Sequence, residues 1–183
     1  MTAPLRRVRV VGTSGSGKTT FARRLADALG VPHVELDEVF WGPGWVMRDA
    51  EQARADVRAR TVGGAWVADG NWTTNLGDAL DDADAVVWLD YPRRVVMARV
   101  VRRSVWRGLT RRELWHGNRE SLRDLVRRDP EDNIVLWAWT SYARVRERYA
   151  ALADRPGARV VQLTSPRAAR RWLAQQAGPH PRG

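Results

Sequence analysis

Cysteine is absent from the 183 residues, so disulfides and cysteine-bound zinc sites are excluded. No apolar run is long enough to cross a membrane. The start, Met1-Thr2-Ala3-Pro4-Leu5-Arg6-Arg7, lacks the apolar stretch of a signal peptide, so the cytoplasm is the expected compartment. Phenylalanine occurs twice, whereas tryptophan occurs ten times. The scarcest charged residue is lysine: Lys18 is the only one, and the other thirty basic residues are arginine. Uniform arginine use by itself points to codon bias and carries no function. The single exception to it is informative.

Lys18 sits in Gly12-Thr13-Ser14-Gly15-Ser16-Gly17-Lys18-Thr19, which matches the phosphate-binding pattern G-x-x-x-x-G-K-[ST]. Such a loop wraps backbone N–H groups around phosphates and opens into a helix whose dipole favours anions. A slim ammonium follows the β- and γ-phosphates inside that loop, where a planar guanidinium is too wide. The setting agrees. Val8-Arg9-Val10-Val11 reads as a buried strand, and residues 19–29 carry a helical apolar stripe that stops at Gly30. A glycine-rich turn in some other α/β protein is the competing reading. The motif assigns Gly12 to Thr20, including Thr13, Ser14, Gly15, Ser16, Gly17 and Lys18, to the phosphates of ATP. Thr19 is assigned to Mg²⁺.

Five strand candidates, at about 8–11, 33–36, 65–68, 85–89 and 159–163, alternate with helical patterns. The alternation predicts an α/β fold, with a five-stranded parallel sheet and helices on both faces. Asp49 and Gln52 form a capping box for a helix over 50–62, ended by Gly63-Gly64. Pro92 starts another helix, running to about Arg107. Thr110-Arg111-Arg112-Glu113 reads as a further capping box. Helices over 134–152 and 166–176 complete the pattern, and Asp129-Pro130 breaks the chain between them and the earlier part. One domain over 1–177 is expected, followed by a frayed tail at 178–183. Residues 104–140 read as a helical, arginine-rich lid.

The net charge is +10, and nearly all of it lies at 93–128, where twelve arginines face Glu113, Glu120 and Asp124. A basic patch of this kind binds nucleic acid or closes over a nucleotide triphosphate. Trp106 and Trp115 within it could stack bases, so a nucleic-acid-binding ATPase or regulator is the alternative function.

Ligands of open parallel sheets bind beyond the carboxyl ends of the strands. Asp37, Asp69 and Asp90 follow the second, third and fourth strand candidates. Asp69 and Asp90 both fit a carboxylate behind a magnesium ion, and Asp69 is preferred. Asp90 competes with a plain capping role beside Pro92. Asp37 is assigned to the acceptor, as base or orienting group. Trp41, Trp45, Asn71 and Trp72 lie just past strand ends and could wall a ring-bearing ligand, or pack the loops down. Trp66, Trp88 and Trp172 read as core, and one of Trp137 and Trp139 faces the lid. His116 reads as a lid-surface residue.

With these residues in place, the chain resembles the adenylate kinase-like P-loop kinases over residues 6–175, and more closely the small bacterial topology modulation proteins. The markers are the phosphate loop, Leu36-Asp37 with Trp41 and Pro43-Gly44-Trp45, Asp69-Gly70-Asn71-Trp72, and Leu89-Asp90-Tyr91-Pro92. The resemblance implies that Arg99 lies against adenine and that Arg103 contacts the transferring phosphates. It matches Arg144 and Arg148 to arginines on the helix leaving the lid. Asp69-Gly70 leads into Asn71-Trp72-Thr73, without the Phe-Pro-Arg of the AMP site. The resemblance therefore implies ATP- and Mg²⁺-dependent phosphoryl transfer from ATP to a small molecule, whether nucleoside, nucleotide or sugar-like, and leaves that acceptor open.

Overall fold

Strands covered on both faces read as continuous apolar runs, as Trp66-Val67-Ala68 and Ala85-Val86-Val87-Trp88-Leu89 do. The computed structural model describes residues 5–127, 129 and 133–177. Its strands are β1 (Arg7–Gly12), β2 (His33–Glu35), β3 (Trp66–Asp69), β4 (Ala85–Leu89) and β5 (Val160–Leu163). They form one parallel sheet in the order β2-β3-β1-β4-β5. Its helices are α1 (Lys18–Leu29), α2 (Leu36–Phe40), α3 (Ala50–Thr61), α4 (Thr73–Leu76), α5 (Arg93–Thr110), α6 (Ile134–Ala153) and α7 (Pro166–Gln176). The expected fold class is the observed one.

Period-2 alternation splits the core between the two faces. Val8, Val10, Val67 and Val87 pack with Phe21, Leu25 and Ala169 of α1 and α7. On the other face Val34, Trp66 and Ala68 meet Ala53 and Val57 of α3. Val11 and Trp88 meet Tyr149 of α6. Trp66 and Trp88 are buried, and Trp172 stacks on Phe21 at 6.0 Å between centroids, so these three tryptophans serve the core as expected. Trp137 and Trp139 are both exposed, beneath Arg144 and Arg93 respectively.

Local chemistry sets several helix ends. Asp49 accepts hydrogen bonds from the amides of Glu51 and Gln52, which caps α3 as expected. Asn133 caps α6 in the same way. Gly30 closes α1 at a φ of 66°, where a side chain would be strained.

Two expectations are corrected. Asp37 does not end a strand. β2 stops at Glu35, where its register against Asp69 of β3 runs out, and Leu36 turns into the core to begin α2. Asp37 is thus in the first turn of α2. The Thr110 capping box does not form, because α5 runs on to Thr110 and the hydroxyl bonds backwards to the Trp106 carbonyl. The first part of the proposed lid is therefore the last two turns of α5. Beyond it come 3-10 turns at Trp115–Gly117 and Leu122–Val126. Residues 128, 130–132 and 178–183 fall outside the described residues, and with them part of the expected lid, Pro130 and the expected tail. Among the described residues no helix is long and apolar enough to cross a membrane.

Leu25 is fully buried between α1 and the sheet. Leu25→Ala should cost about 2–5 kcal/mol. A urea titration that follows tryptophan fluorescence should show a clear fall in the unfolding midpoint.

Candidate phosphate and acceptor site

Gly12 leaves β1 at the centre of the sheet, and the loop to Lys18 turns over the carboxyl ends of its neighbours. Gly15 and Gly17 take φ values of 87° and 88°, a region open to glycine at no steric cost. Gly15 also lies where a Cβ would sit 2.2 Å from Val100 of α5, so helix and loop approach closely only through a glycine. Asn71 pins the loop's start. Its Nδ2 donates to the Gly12 carbonyl at 2.7 Å, and its Oδ1 accepts from the Gly12 amide at 3.3 Å. Tyr149 donates to the same Oδ1 at 3.3 Å. Asn71 was assigned to the acceptor; its amide is engaged in holding the loop.

Thr19, in the first turn of α1, donates its hydroxyl to Asp69 Oδ2 at 2.8 Å. The other carboxylate oxygen lies 2.7 Å from His33 Nε2. Thr19 and Asp69, assigned to the metal from sequence, are thus in direct contact. Asp90 is elsewhere: Gln162 donates to it at 2.7 Å and Arg146 lies at 3.1 Å, so it ties β4 to β5 and α6. Neither the magnesium role nor the capping role expected beside Pro92 describes it, because α5 carries no side-chain cap there.

Lys18 makes one long contact, 3.4 Å to the Thr13 carbonyl. Burial pushes its pKa down, Asp37 and Asp69 oppose that shift, and Arg103 adds to it. Burial pushes the Asp37 pKa up, against the pull of Lys18 and of a 2.7 Å hydrogen bond from Trp72 Nε1. Arg103 belongs to the same cluster: burial and the neighbouring Arg107 lower its pKa, while Glu120 and Asp37 raise it. Among the described residues its buried Nε has no hydrogen-bond partner, and neither has the buried hydroxyl of Ser16 in the loop. Buried donors need acceptors. These two fit the oxygens of a phosphate chain. Arg99 donates to the Ser16 carbonyl at 2.9 Å and lies over the Tyr91 ring at 5.3 Å. It therefore braces the loop beside an aromatic ring. Ser14 stays half-buried in the loop, Thr13 is buried, and Thr20 is exposed on α1. Arg144 and Arg148 point to solvent on α6.

The tryptophans form a chain of edge-on contacts. Trp41 meets Trp72 at 5.5 Å and Trp45 at 6.0 Å, and Trp45 meets Trp115 at 6.3 Å. Phe40 stacks on Trp72 at 4.6 Å. Two small hairpin-like loops are clasped here, one bridged at Trp41 and Met47, the other at Glu113 and Arg119. The fastener is Asn118, which is buried. It donates to the Gly42 carbonyl at 2.9 Å and accepts from the Trp45 amide at 3.1 Å. His116 is exposed, as expected of a lid-surface residue, and adds a 2.9 Å contact to the Glu38 carbonyl. Burial raises the Glu35 pKa, and the Trp115 side chain opposes that shift. Sequence reasoning missed His33, Glu35, Asn118 and Tyr149 as parts of this site. His33 and Glu35 alternate on an edge strand and had a readable signal; Asn118 and Tyr149 had none.

Comparison with known proteins bears on the fold. No family model matches the chain. A cytidylate kinase from Nitratidesulfovibrio vulgaris is 46% identical over 43 residues, a stretch that spans 24% of this chain and 18% of that enzyme. Among solved structures, a sugar kinase from Janibacter sp. HTCC2649 superposes with a TM-score of 0.51 at 23% identity, covering 96% of this chain and 97% of that one. A shikimate kinase from Acinetobacter baumannii gives 0.56 at 19%, covering 93% and 90%. A gluconokinase from Sinorhizobium meliloti gives 0.52 at 17%, covering 96% and 95%. The fold is that of the P-loop kinases. These structural neighbours act on small molecules, and at such identities they speak for the fold alone.

Asn118→Ala should leave the Gly42 carbonyl and the Trp45 amide without partners. Such losses cost about 1–3 kcal/mol locally. Amide exchange at Trp45 should speed up about tenfold or more, while the exchange of β1 stays unchanged.

Proposed function

We propose that this chain is an ATP-dependent small-molecule kinase. The observation that carries the reading is the Thr19–Asp69 hydrogen bond at the head of the loop, set beside an unpaired Lys18 and an unpartnered Arg103 Nε. Thr19 and Asp69 are oxygen donors of the kind a magnesium ion takes, directly or through water. When bound, Mg²⁺ supplies charge neutralisation across the β- and γ-phosphates of ATP. The loop amides and Lys18 hold those phosphates, and Arg103 donates toward the transferring group. Arg99 keeps the loop in shape. We also place the chain near the topology modulation proteins within the kinase-like group, on the motifs that it shares with them.

Phosphoryl transfer is mainly positioning and charge stabilisation. The acceptor hydroxyl oxygen bonds the γ-phosphorus as the bond to the β–γ bridging oxygen breaks. ADP leaves with that electron pair. The hydroxyl proton passes to Asp37, whose raised pKa suits a base, and Trp72 fixes the carboxylate's orientation. The segment 104–127 acts as the lid: Trp115 and Asn118 close it over the acceptor side and exclude water. The nucleic-acid reading has less support, because Trp115 packs edge-on against Trp45 at the seam of the two loops.

Lys18 is the only lysine, so an amine reagent labels it and the N-terminus alone. MgATP should protect Lys18, and equal labelling with and without MgATP would count against the reading. Arg103→Ala should lower turnover by ~10³ or more. Asp37→Asn should lower it by ~10²–10⁴ with ATP protection of Lys18 retained. Both are read by coupled ADP release.

A further inference from the structure

His33 has no task in the kinase reading above. It begins β2, an edge strand of three residues that pairs on one side only, with His33 opposite Val67 and Glu35 opposite Asp69 of β3. Side chains alternate along a strand, so residues two apart share a face, and residues paired directly across a ladder point the same way. His33 therefore shares a face with Val67 and Asp69. On that face Val67 packs with Phe21, Ala22 and Leu25 of α1, the helix that carries Thr19 in its first turn. From two places back along its strand, the imidazole of His33 reaches Asp69. Its Nε2 lies 2.7 Å from Asp69 Oδ1, while Thr19 donates to Oδ2 at 2.8 Å. The two side chains are 14% and 3% exposed, so little water competes for the contact. A carboxylate only accepts, which assigns the ring proton to Nε2. Each oxygen of Asp69 thus has its own donor, one from β2 and one from α1.

We propose that His33 is a positioning residue for the magnesium site: it acts through Asp69, fixing the carboxylate so that Thr19 keeps an oxygen open to the ion. The proposal rests on the kinase reading above. A hydroxyl has one proton and two lone pairs. While the Thr19 proton is committed to Asp69 Oδ2, the lone pairs of Thr19 Oγ1 stay available to a cation. That arrangement lasts only while Oδ2 keeps its place. The last torsion of an aspartate side chain is broad, with no sharp well to hold the carboxylate plane by itself. The donor on Oδ1 supplies the missing restraint, and without it a buried oxygen would also lose its partner. Mg²⁺ demands near-ideal octahedral geometry, so it tolerates a wandering ligand set poorly. Removing a side chain that orients a metal-binding group typically costs about 10–100-fold in metal affinity or activity. The contact comes from an edge strand, so the metal side of the site also depends on how β2 seats against β3.

The test follows amine labelling of Lys18 at fixed ATP through a Mg²⁺ titration, using the full chain. His33→Leu removes the donor, and His33→Gln returns an N–H on a side chain of similar reach. In His33→Leu the Mg²⁺ concentration that gives half-maximal protection should rise about tenfold or more. Protection by ATP in EDTA should match that of the unaltered chain, because the loop itself is untouched. His33→Gln should recover most of the lost Mg²⁺ response. A thermal melt of each variant confirms that it folds, and if His33→Leu does not, His33→Phe takes its place. A second readout needs no donor-deleting variant: the His33 ring signals in NMR, assigned by their loss in His33→Gln, should move when MgATP is added to the unaltered chain and less when ATP is added with EDTA. An unchanged Mg²⁺ requirement in His33→Leu, an equal loss of protection with Mg²⁺ and with EDTA, or a His33→Gln no better than His33→Leu would each make His33 a plain tie between β2 and β3 and overturn the proposal. Ring signals that ignore MgATP would overturn it as well. Each of these outcomes leaves the kinase reading standing. Failure of MgATP to protect Lys18 in the unaltered chain would instead remove the kinase reading itself.

Discussion

The carboxylate of Asp69 is the joint on which the site depends. It closes β3, takes the Thr19 hydroxyl from α1 and meets His33 from β2. Three elements separated in sequence thereby hold one another at the rim of the sheet. The joint is possible because β1 and β3 are parallel neighbours, so the end of one lies beside the loop that leaves the other. Asn71 secures the same corner two residues later, by bonding both backbone groups of Gly12. A loop held from beneath in this way keeps its amides aimed without help from a ligand, as preorganised electrostatic stabilisation requires.

Charge is unevenly shared above that corner. Lys18, Arg103 and Arg99 gather around the loop, whereas Glu35, Asp37 and Asp69 gather toward β2. The positive half carries buried donors that no group among the described residues satisfies, at Arg103 Nε and the Ser16 hydroxyl. The negative half has more carboxylate than local cation, and Lys18 reaches neither Asp37 nor Asp69 within ion-pair distance among the described residues. Each group is thus held near its opposite without being neutralised by it.

The two clasped loops add a mechanical consequence. Asn118 spends a buried amide on the acceptor loop, and four tryptophans lock edge to face across the same seam. The segment after α5 is therefore tied to the loop at 41–47 by specific polar bonds. Glu120 and Arg107 are paired within it, and Gly108 gives Leu122 its seat against α5, where a Cβ would sit 2.6 Å away.

Much of this was legible in the residues alone. The phosphate loop, the five strands, the caps at Asp49 and Gly30 and the roles of Trp66 and Trp88 follow from local rules: periodicity, glycine conformation and short-range hydrogen bonding. The contact of Thr19 with Asp69 was readable because parallel-sheet topology places strand ends together. What only tertiary structure decided depends on partners distant in sequence. Asp37 left its strand because β2 pairs on one side only and ran out of neighbour at Glu35. Asn71 turned from the acceptor to Gly12 because that carbonyl and amide, at the very end of β1, lay within reach. Asn118 and His116 joined the clasp for the same reason. A side chain's own sequence neighbours set its conformation, but the group it bonds is whichever one the fold brings within about 3 Å.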